Sequence, residues 1–192
     1  MVLKLIGARM SINTRRVAVV CKELKLPYEL VPVDMANAEH KSPAYLEKQP
    51  FGQVPIIDDD GFNLFESRAI CRYLVRKYGK GSTLIPSDLH KQALFEAAAS
   101  VEQNNFEPYR AAELQKAFAV KLKGYEAVLG KHKYLAGEEI TIADLFHLPY
   151  GNFITDRLQI DSLTSIESTP MVARWWDDIT SRPSWQAVKD GA

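Results

Sequence analysis

The N-terminal part of the chain alternates between the periodicities of strands and helices. Val2–Gly7 is a short apolar run that ends in glycine, and this predicts a buried strand. Apolar residues then recur with the spacing of one helix face, at Val17, Val20, Cys21 and Leu24. Pro27 ends that helix, and Tyr28–Val33 has the composition of a second strand.

A hairpin and a third helix are predicted further on. The polar stretch 36–49 has room for a short helix, and the apolar runs Val54–Ile57 and Phe62–Phe65 follow it. Asp60-Gly61 between these runs is a strong signal for a hairpin turn. A further helix begins near Glu66. Strands that alternate with helices in this order indicate an α/β layer over residues 1–80.

Strand signals disappear after a linker at 81–87, so residues 88–192 are predicted to form an all-helical domain. Two helical stripes lie in its first half, at Leu94, Ala97, Ala98, Val101 and at Phe118, Leu122, Tyr125, Leu129. Thr141 and Asp144 have the spacing of a capping box, which assigns Asp144 to folding rather than to catalysis. Pro170 and Pro183 mark the starts of later helices.

The composition is that of an ordinary globular protein. Of 192 residues, 46% are hydrophobic and 25% are charged, which excludes a disordered chain. Lys plus Arg number 24 and Asp plus Glu also number 24, so no excess positive charge favours nucleic-acid binding. The sequence has no apolar run of membrane-spanning length and no signal-peptide core, and two cysteines do not make a disulfide framework. We therefore expect a cytoplasmic protein without a membrane partner.

Four motifs follow one another in the first domain, and a longer one lies in the second. They are GARMSINTR at 7–15, AEHKSP at 38–43, QPFGQVP at 49–55, LFESRAI at 64–70 and YLAGEEITIADLFHLP at 134–149. In this order and spacing they resemble the phi class of the glutathione S-transferases, over most of the chain. The resemblance implies an N-terminal thioredoxin-like domain followed by a C-terminal helical bundle, with glutathione as co-substrate.

The chain departs from the family's pattern at 114–122. Between FEPYRAAEL at 106–114 and LKGYEAVLGKHKYLAG at 122–137 the family usually carries a longer stretch, so this segment is either a true deletion or an omitted loop. In the family the longer stretch borders the site for the electrophile.

The end of the fourth predicted strand is suited to binding a carboxylate. Glu66 and Ser67 lie where this strand turns into a helix, and free N–H groups at a helix N-terminus favour an anion. The resemblance assigns both residues to the γ-glutamyl end of glutathione, with Glu66 accepting from its ammonium group. The alternative is that Ser67 only caps the helix.

Two further segments would hold the rest of the tripeptide. The resemblance implies a cis bond between Val54 and Pro55, which turns the Val54 backbone toward the ligand peptide, while Gln53 adds a side-chain amide. It also places His40 and Lys41 at the glycyl carboxylate; the alternative for Lys41 is a solvated loop side chain.

Ser11 is the predicted catalytic residue, because it follows the first strand and precedes the first helix. Its hydroxyl would donate a hydrogen bond that favours the thiolate of glutathione over the thiol. Asn13 and Thr14 are alternatives at the same helix start, and one of these polar residues must cap it. A cysteine at position 11 would instead have indicated the thiol-disulfide branch of the superfamily.

The electrophile pocket is expected to be apolar. The family's layout puts Met10, Ile12 and Met35 beside the sulfur, and Leu114 and Phe118 from the second domain are added, with a core role as their alternative. No histidines or cysteines have metal-ligand spacing, so no metal is expected.

The resemblance also implies a homodimer, in which the first domain of one subunit meets the second domain of the other. Phe51, a large apolar residue in a polar turn, is the expected anchor at that interface. Two functions remain open: an enzyme that joins glutathione to small hydrophobic electrophiles or reduces hydroperoxides with it, and a non-catalytic carrier of hydrophobic small molecules.

Overall fold

A computed structural model of the chain describes residues 2–106, 115–157 and 161–192, and these fall into two units. The first unit contains residues 1–80 and is built on a four-stranded sheet. Its strands are β1 (Leu3–Gly7), β2 (Tyr28–Pro32), β3 (Ile56–Asp59) and β4 (Phe62–Phe65). Their order across the sheet is β2-β1-β3-β4, with β1 parallel to β2 and antiparallel to β3.

The predicted hairpin is present, since β3 and β4 pair antiparallel around Asp60 and Gly61. Both turn residues have positive φ, 57° and 88°, as a tight two-residue hairpin turn requires. The carboxylate of Asp59 at the end of β3 accepts hydrogen bonds from three side chains of the next helix, Tyr73 (2.7 Å), Lys77 (2.6 Å) and Tyr78 (2.7 Å). Burial raises the pKa of Asp59, but these hydrogen bonds outweigh it and hold the pKa below its usual value.

Three helices accompany the sheet: α1 (Ile12–Glu23), α2 (Pro43–Leu46) and α3 (Ser67–Tyr78). Helices α1 and α3 pack against each other, and their inner faces are fully buried together with Leu5, Ile56 and Ile57 of the sheet. Cys21 and Cys71 are buried on these faces without forming a disulfide, and burial raises the pKa of the Cys21 thiol. Both therefore act as small core residues.

The second unit, residues 81–182, is helical in its described part. Its main helices are α4 (Leu89–Val101), α5 (Gln115–Leu129), α6 (Ile142–Asn152) and α7 (Pro170–Thr180). Helix α4 packs on α6, and α5 packs on α7. The N-terminus of α7 is capped by a side chain from α5: the Glu126 carboxylate accepts hydrogen bonds from the Met171 and Val172 amides at 2.9 Å each.

The predicted capping box of α6 is confirmed. The Thr141 side chain caps the helix, and the Asp144 carboxylate accepts from the Thr141 amide at 2.9 Å. Asp144 is fully buried and also accepts from the Leu135 amide (3.1 Å) and the Trp175 indole (3.0 Å). The carboxylate thus joins α6, α7 and the preceding loop, which is the folding role predicted for it.

A short last helix, α8 (Pro183–Gln186), and the residues after it belong with the first unit. The helical periodicity assigns this segment to the second domain, whereas in the structure it packs on α1. Trp185 is buried beneath the Arg15 guanidinium, and Arg15 Nη1 donates to the Lys189 carbonyl at 2.7 Å. The cation–π contact between Arg15 and Trp185 therefore stabilises the packing of this segment on α1. Within the described ranges, no helix is both long and apolar enough to cross a membrane.

Candidate functional site

Ser11 is the residue that caps α1. It has extended backbone geometry, and its Oγ accepts a hydrogen bond from the Thr14 amide at 3.4 Å. The Ser11 amide donates to the Ala8 carbonyl at 2.9 Å, which fixes the turn between β1 and α1. Because Oγ accepts in this contact, the hydroxyl hydrogen stays available as a donor. Ser11 is half-buried.

The other polar residues at this helix start occupy different environments. Thr14 is fully buried, and within the described residues its Oγ1 has no hydrogen-bond partner. A Cβ atom on Gly7 would lie 2.6 Å from this Oγ1 and 3.3 Å from Cβ of Pro55. Thr14 therefore packs into the space between the end of β1 and the start of β3. The Asn13 side chain accepts a hydrogen bond from Arg16 Nη1.

Glu66 and Ser67 lie at the N-terminus of α3, as predicted. Glu66 is the N-cap residue and is exposed, with φ 70° and ψ 101°, an unfavourable conformation for a side chain with a Cβ atom. Such strain costs on the order of 1–3 kcal/mol and is concentrated at functional sites. Ser67 is the first helical residue and is buried, and its Oγ accepts from Arg16 Nη1 at 3.0 Å. Ser67 is thus not the helix cap.

His40 and Lys41 lie against the backbone of the loop at Phe51 and Gly52. Lys41 Nζ donates to the carbonyls of Phe51 (3.1 Å) and Gly52 (2.8 Å). An ammonium has three N–H donors, so one remains for an anion. His40 is half-buried, and in the described part of the chain its Nδ1 is buried without a hydrogen-bond partner. Gly52 has φ 57°, and a Cβ atom there would lie 2.7 Å from the His40 carbonyl oxygen.

Two buried side chains hydrogen-bond to the backbone of the loop at 49–55, which leads into β3. Gln49 Oε1 accepts from the Phe51 amide at 2.6 Å, and the Tyr45 hydroxyl donates to the Gln53 carbonyl at 2.8 Å. Burial first, and then the Glu39 charge, raise the pKa of Tyr45 to about 12, so it remains a donor. The Val54–Pro55 bond is cis, as the resemblance implies. Gln53 is exposed and Val54 half-buried, three and two residues before Ile56, where the pairing of β3 with β4 begins.

The predicted electrophile residues differ in their exposure to solvent. Met10 and Met35 are exposed, at 54% and 41%, and Ile12 is half-buried beside Ser11. Phe118 is only 2% exposed and belongs to the core of the second unit. Leu114 lies outside the described residues.

Several residues of this site carry no mark in the predicted motifs. Arg16, fully buried, connects α1 to Ser67, and Tyr45 supports the loop at 49–55. Gln49, which also supports this loop, is the first residue of the motif at 49–55, where no role was predicted for it. The one available signal was Arg16, a charged residue next to Val17 on an otherwise apolar helix face. Across the described residues, no three His, Cys, Asp or Glu side chains are grouped to hold a metal ion.

The first unit thus contains the N-termini of α1 and α3, a buried arginine that contacts Ser67, and a lysine that keeps an unused N–H beside the loop leading into β3. Family models match both parts of the chain: the N-terminal domain of glutathione S-transferases matches residues 1–76, and the C-terminal domain matches residues 87–183.

Individual relatives match nearly the whole chain. Glutathione S-transferase PM239X14 of Arabidopsis thaliana is 44% identical over 198 residues, covering 90% of this chain and 89% of that protein. The crystal structure of glutathione transferase F7 from Populus trichocarpa is 37% identical, with a TM-score of 0.88 and 98% coverage of both chains. Glutathione S-transferase I from mais, solved with an atrazine glutathione conjugate, is 34% identical, with a TM-score of 0.88 and coverage of 99% and 97%.

The chain therefore belongs to the glutathione S-transferase family. Its relatives place it in the phi class, as the five motifs predict, and it is an enzyme whose co-substrate is glutathione. The predicted fold, a thioredoxin-like domain with a mixed sheet and a helical domain, is confirmed as well.

Proposed function

We propose that Ser11 donates a hydrogen bond to the sulfur of bound glutathione and keeps it ionised for attack on a small hydrophobic electrophile. The observation that supports this most directly is the geometry of the helix start. Ser11 is half-buried and its Oγ accepts from the Thr14 amide, so its hydrogen is free to point at the sulfur. The accepted N–H bond also polarises the hydroxyl and makes it a better donor.

The size of this effect is sufficient. A hydrogen bond to a charged group contributes about 1.5–3 kcal/mol, which lowers the pKa of a thiol by about one to two units. A thiol of pKa about 8.5 is only about 3% ionised at pH 7, and a shift of two units raises the ionised fraction to about 76%. The positive end of α1 acts in the same direction.

The remaining residues bind the two ends of the tripeptide. Glu66 and Ser67 hold the γ-glutamyl group at the N-terminus of α3, Lys41 and His40 hold the glycyl carboxylate, and the Val54 backbone pairs with the ligand peptide. The strain at Glu66, the unused Lys41 N–H and the unpartnered His40 Nδ1 support these roles. Pro55 and Gln53 complete the loop that carries the Val54 backbone.

The same thiolate supports two reactions. With an electrophile such as an aryl halide, the sulfur forms a C–S bond and halide leaves. With an organic hydroperoxide, the sulfur attacks one oxygen, the O–O bond breaks and an alcohol leaves. A second glutathione then reduces the resulting sulfenic acid to a disulfide and water. The exposed Met10 and Met35, with Ile12, supply an adaptable apolar surface for these substrates.

Turnover of an aryl halide by the wild type and by Ser11→Ala tests this mechanism. We expect the substitution to lower kcat/KM by tenfold or more, about 1.4 kcal/mol. Ser67→Ala is expected to raise the KM for glutathione more than it lowers kcat. Equal turnover by the wild type and Ser11→Ala would instead favour the carrier function, which the family relationship does not favour.

We also propose that the protein works as a homodimer anchored by Phe51. This side chain is 65% exposed. Its ring makes an edge contact with the ring of Phe65, at 6.1 Å between ring centroids. Its backbone is fixed by Lys41 and Gln49, so the ring is presented by a rigid loop. A preorganised exposed aromatic of this kind is typical of an interface anchor.

We propose that Phe51 of one copy binds an apolar cavity in the second unit of the other copy. A cavity of about 600 Å³ lies between α4, α5 and the loop that follows α5. Its lining is almost entirely apolar and includes Leu94, Ala97, Val101, Tyr125, Val128 and Leu135. Leu94, Val101 and Val128 are 39–53% exposed there, and covering them by Phe51 of a second copy removes apolar surface from water on both sides.

Sedimentation of Phe51→Ser tests the dimer. We expect the wild type to sediment as a dimer and Phe51→Ser to dissociate at micromolar concentration. Phe62→Ser is the matched control, because Phe62 is also exposed, at 49%, but lies on β4 against Tyr73. Dissociation of both variants, or of neither, would contradict the assignment to Phe51. We propose a cytoplasmic location, because a reducing environment suits Cys21 and Cys71, which form no disulfide.

A further inference from the structure

Arg16 is a fully buried arginine at the centre of the proposed site. It lies on α1, five residues after Ser11, and its Nη1 reaches both Asn13 Oδ1 and Ser67 Oγ, the latter at 3.0 Å. Arginine is rarely buried to this extent, because removing a charge from water is costly. The fold therefore keeps a cation where α1 and the N-terminus of α3 meet.

The contact determines the direction of the Ser67 hydroxyl. Arg16 can only donate, so Ser67 Oγ is the acceptor in this bond. A hydroxyl that accepts from one side directs its own hydrogen toward a different acceptor. Ser67 is the first residue of α3, where the free amides and the helix dipole also favour an anion.

We propose that Arg16 is a positioning residue that turns the Ser67 hydroxyl toward the α-carboxylate of the γ-glutamyl group and adds a positive charge behind it. This inference rests on the proposed function, in which Ser67 holds that carboxylate. It predicts that Arg16 contributes to selectivity for the carboxylate itself, not only to the stability of the fold.

Lysine cannot replace arginine in this role. Both bonds come from Nη1, whose two N–H groups point in fixed directions in the plane of the guanidinium, so the direction of one bond fixes that of the other. A lysine ammonium keeps the charge, but it is a point donor on a flexible stem and is strongly hydrated. Arg16→Lys therefore separates the geometry of the group from its charge.

Three ligands identify the group that Arg16 serves. The first is glutathione. The second has 4-aminobutanoyl in place of the γ-glutamyl group and so lacks the α-carboxylate, and the third has glutaryl and lacks only the ammonium. The Kd of each ligand is measured by calorimetry for the wild type, Arg16→Lys and Arg76→Lys. Arg76 is exposed on the last turn of α3, so its substitution is a matched control.

In the wild type, we expect the ligand without the carboxylate to bind more weakly than glutathione. In Arg16→Lys this preference falls by about tenfold, the effect of one hydrogen bond to a charged group. The glutaryl ligand, which keeps the carboxylate, weakens together with glutathione. Arg76→Lys leaves all three affinities at the wild-type values.

Other outcomes overturn the inference. If Arg16→Lys weakens all three ligands equally, Arg16 only supports the fold, and unchanged affinities give it no part in binding. If Arg16→Lys does not fold, Asn13→Ala decides, because it keeps the cation and removes a group that orients it: reduced preference supports the inference, and unchanged preference refutes it. A wild type that binds glutathione no better than the ligand without the carboxylate would refute the Ser67 site of the proposed function, and this inference with it.

Discussion

Ser11 has two hydrogen-bonding roles, and substitution can separate them. As the N-cap of α1 it accepts from the Thr14 amide, and as the proposed catalytic residue it donates to the sulfur of glutathione. Alanine at position 11 removes both roles. Glycine removes the donor but is nearly as good an N-cap as serine, because water can reach the free amides.

The two roles differ in size. The capping bond is long, 3.4 Å, so we expect Ser11→Ala to lose only about 0.5–1 kcal/mol of folding stability, the lower part of the usual range. Ser11→Gly should lose only a few tenths of a kcal/mol. The donor role is larger: both variants lose about 1.5–3 kcal/mol of thiolate stabilisation and raise the pKa of bound glutathione by about one to two units.

Two measurements on each protein check this. The pKa of the bound thiol is read from mercaptide absorbance in ultraviolet difference spectra as the pH is varied, and stability is read from urea unfolding. Thr14→Val is a control for the rival donor. It removes a buried hydroxyl that has no partner within the described residues, so stability should stay equal or rise and the pKa of the thiol should not change.

The proposed role of Ser11 fails if the alanine and glycine variants keep the low pKa of the thiol. It also fails if Thr14→Val raises that pKa as much as Ser11→Ala, since the Thr14 hydroxyl would then be the donor. A large pKa difference between Ser11→Ala and Ser11→Gly would show that the cap, and not the hydroxyl hydrogen, controls ionisation.

Three further predictions concern stability. Asp144→Ala leaves buried donors without an acceptor and should cost about 3–5 kcal/mol in chemical unfolding; a loss under 1 kcal/mol would contradict the role of its network. Asp59 has a lowered pKa in the folded protein, so its contribution is present above the unfolded pKa of about 3.9 and is lost as the pH falls through the folded value. The melting temperature of the wild type should therefore exceed that of Asp59→Asn at pH 7, with the difference shrinking in acid; a constant difference would argue against the ionised network. Trp185→Ala should lower the free energy of unfolding by about 3–5 kcal/mol in thermal unfolding. An unchanged free energy of unfolding would mean that the last segment does not stabilise the first unit.

Much of the fold could be predicted because its signals are local. The Asp60-Gly61 turn, the Thr141–Asp144 capping box and the helix starts at Pro170 and Pro183 each depend on residues a few positions apart. The motifs likewise located Ser11 and the Glu66-Ser67 pair at the starts of α1 and α3. Backbone geometry and capping act over one turn, so the sequence itself carries these features.

Features that depend on distant parts of the chain could not be predicted in this way. Arg16 and Ser67 are 51 positions apart, and Arg15 and Lys189 are 174 apart. Nothing near Pro183 indicates that the segment after it returns to α1. The strain at Glu66 is also invisible in the sequence, because it depends on how β4 and α3 join.

The sequence by itself determined the order of strands and helices, the family and the two helix starts where an anion would bind. The tertiary structure alone decided which residues surround the proposed site, among them a buried arginine that contacts Ser67 and a lysine bonded to the 51–52 backbone. It also decided that the last segment packs beside α1. The physical reason is the range of the interactions. Helix caps and turns are satisfied by neighbouring residues, whereas a buried charge is stabilised only by partners that the folded chain brings to it.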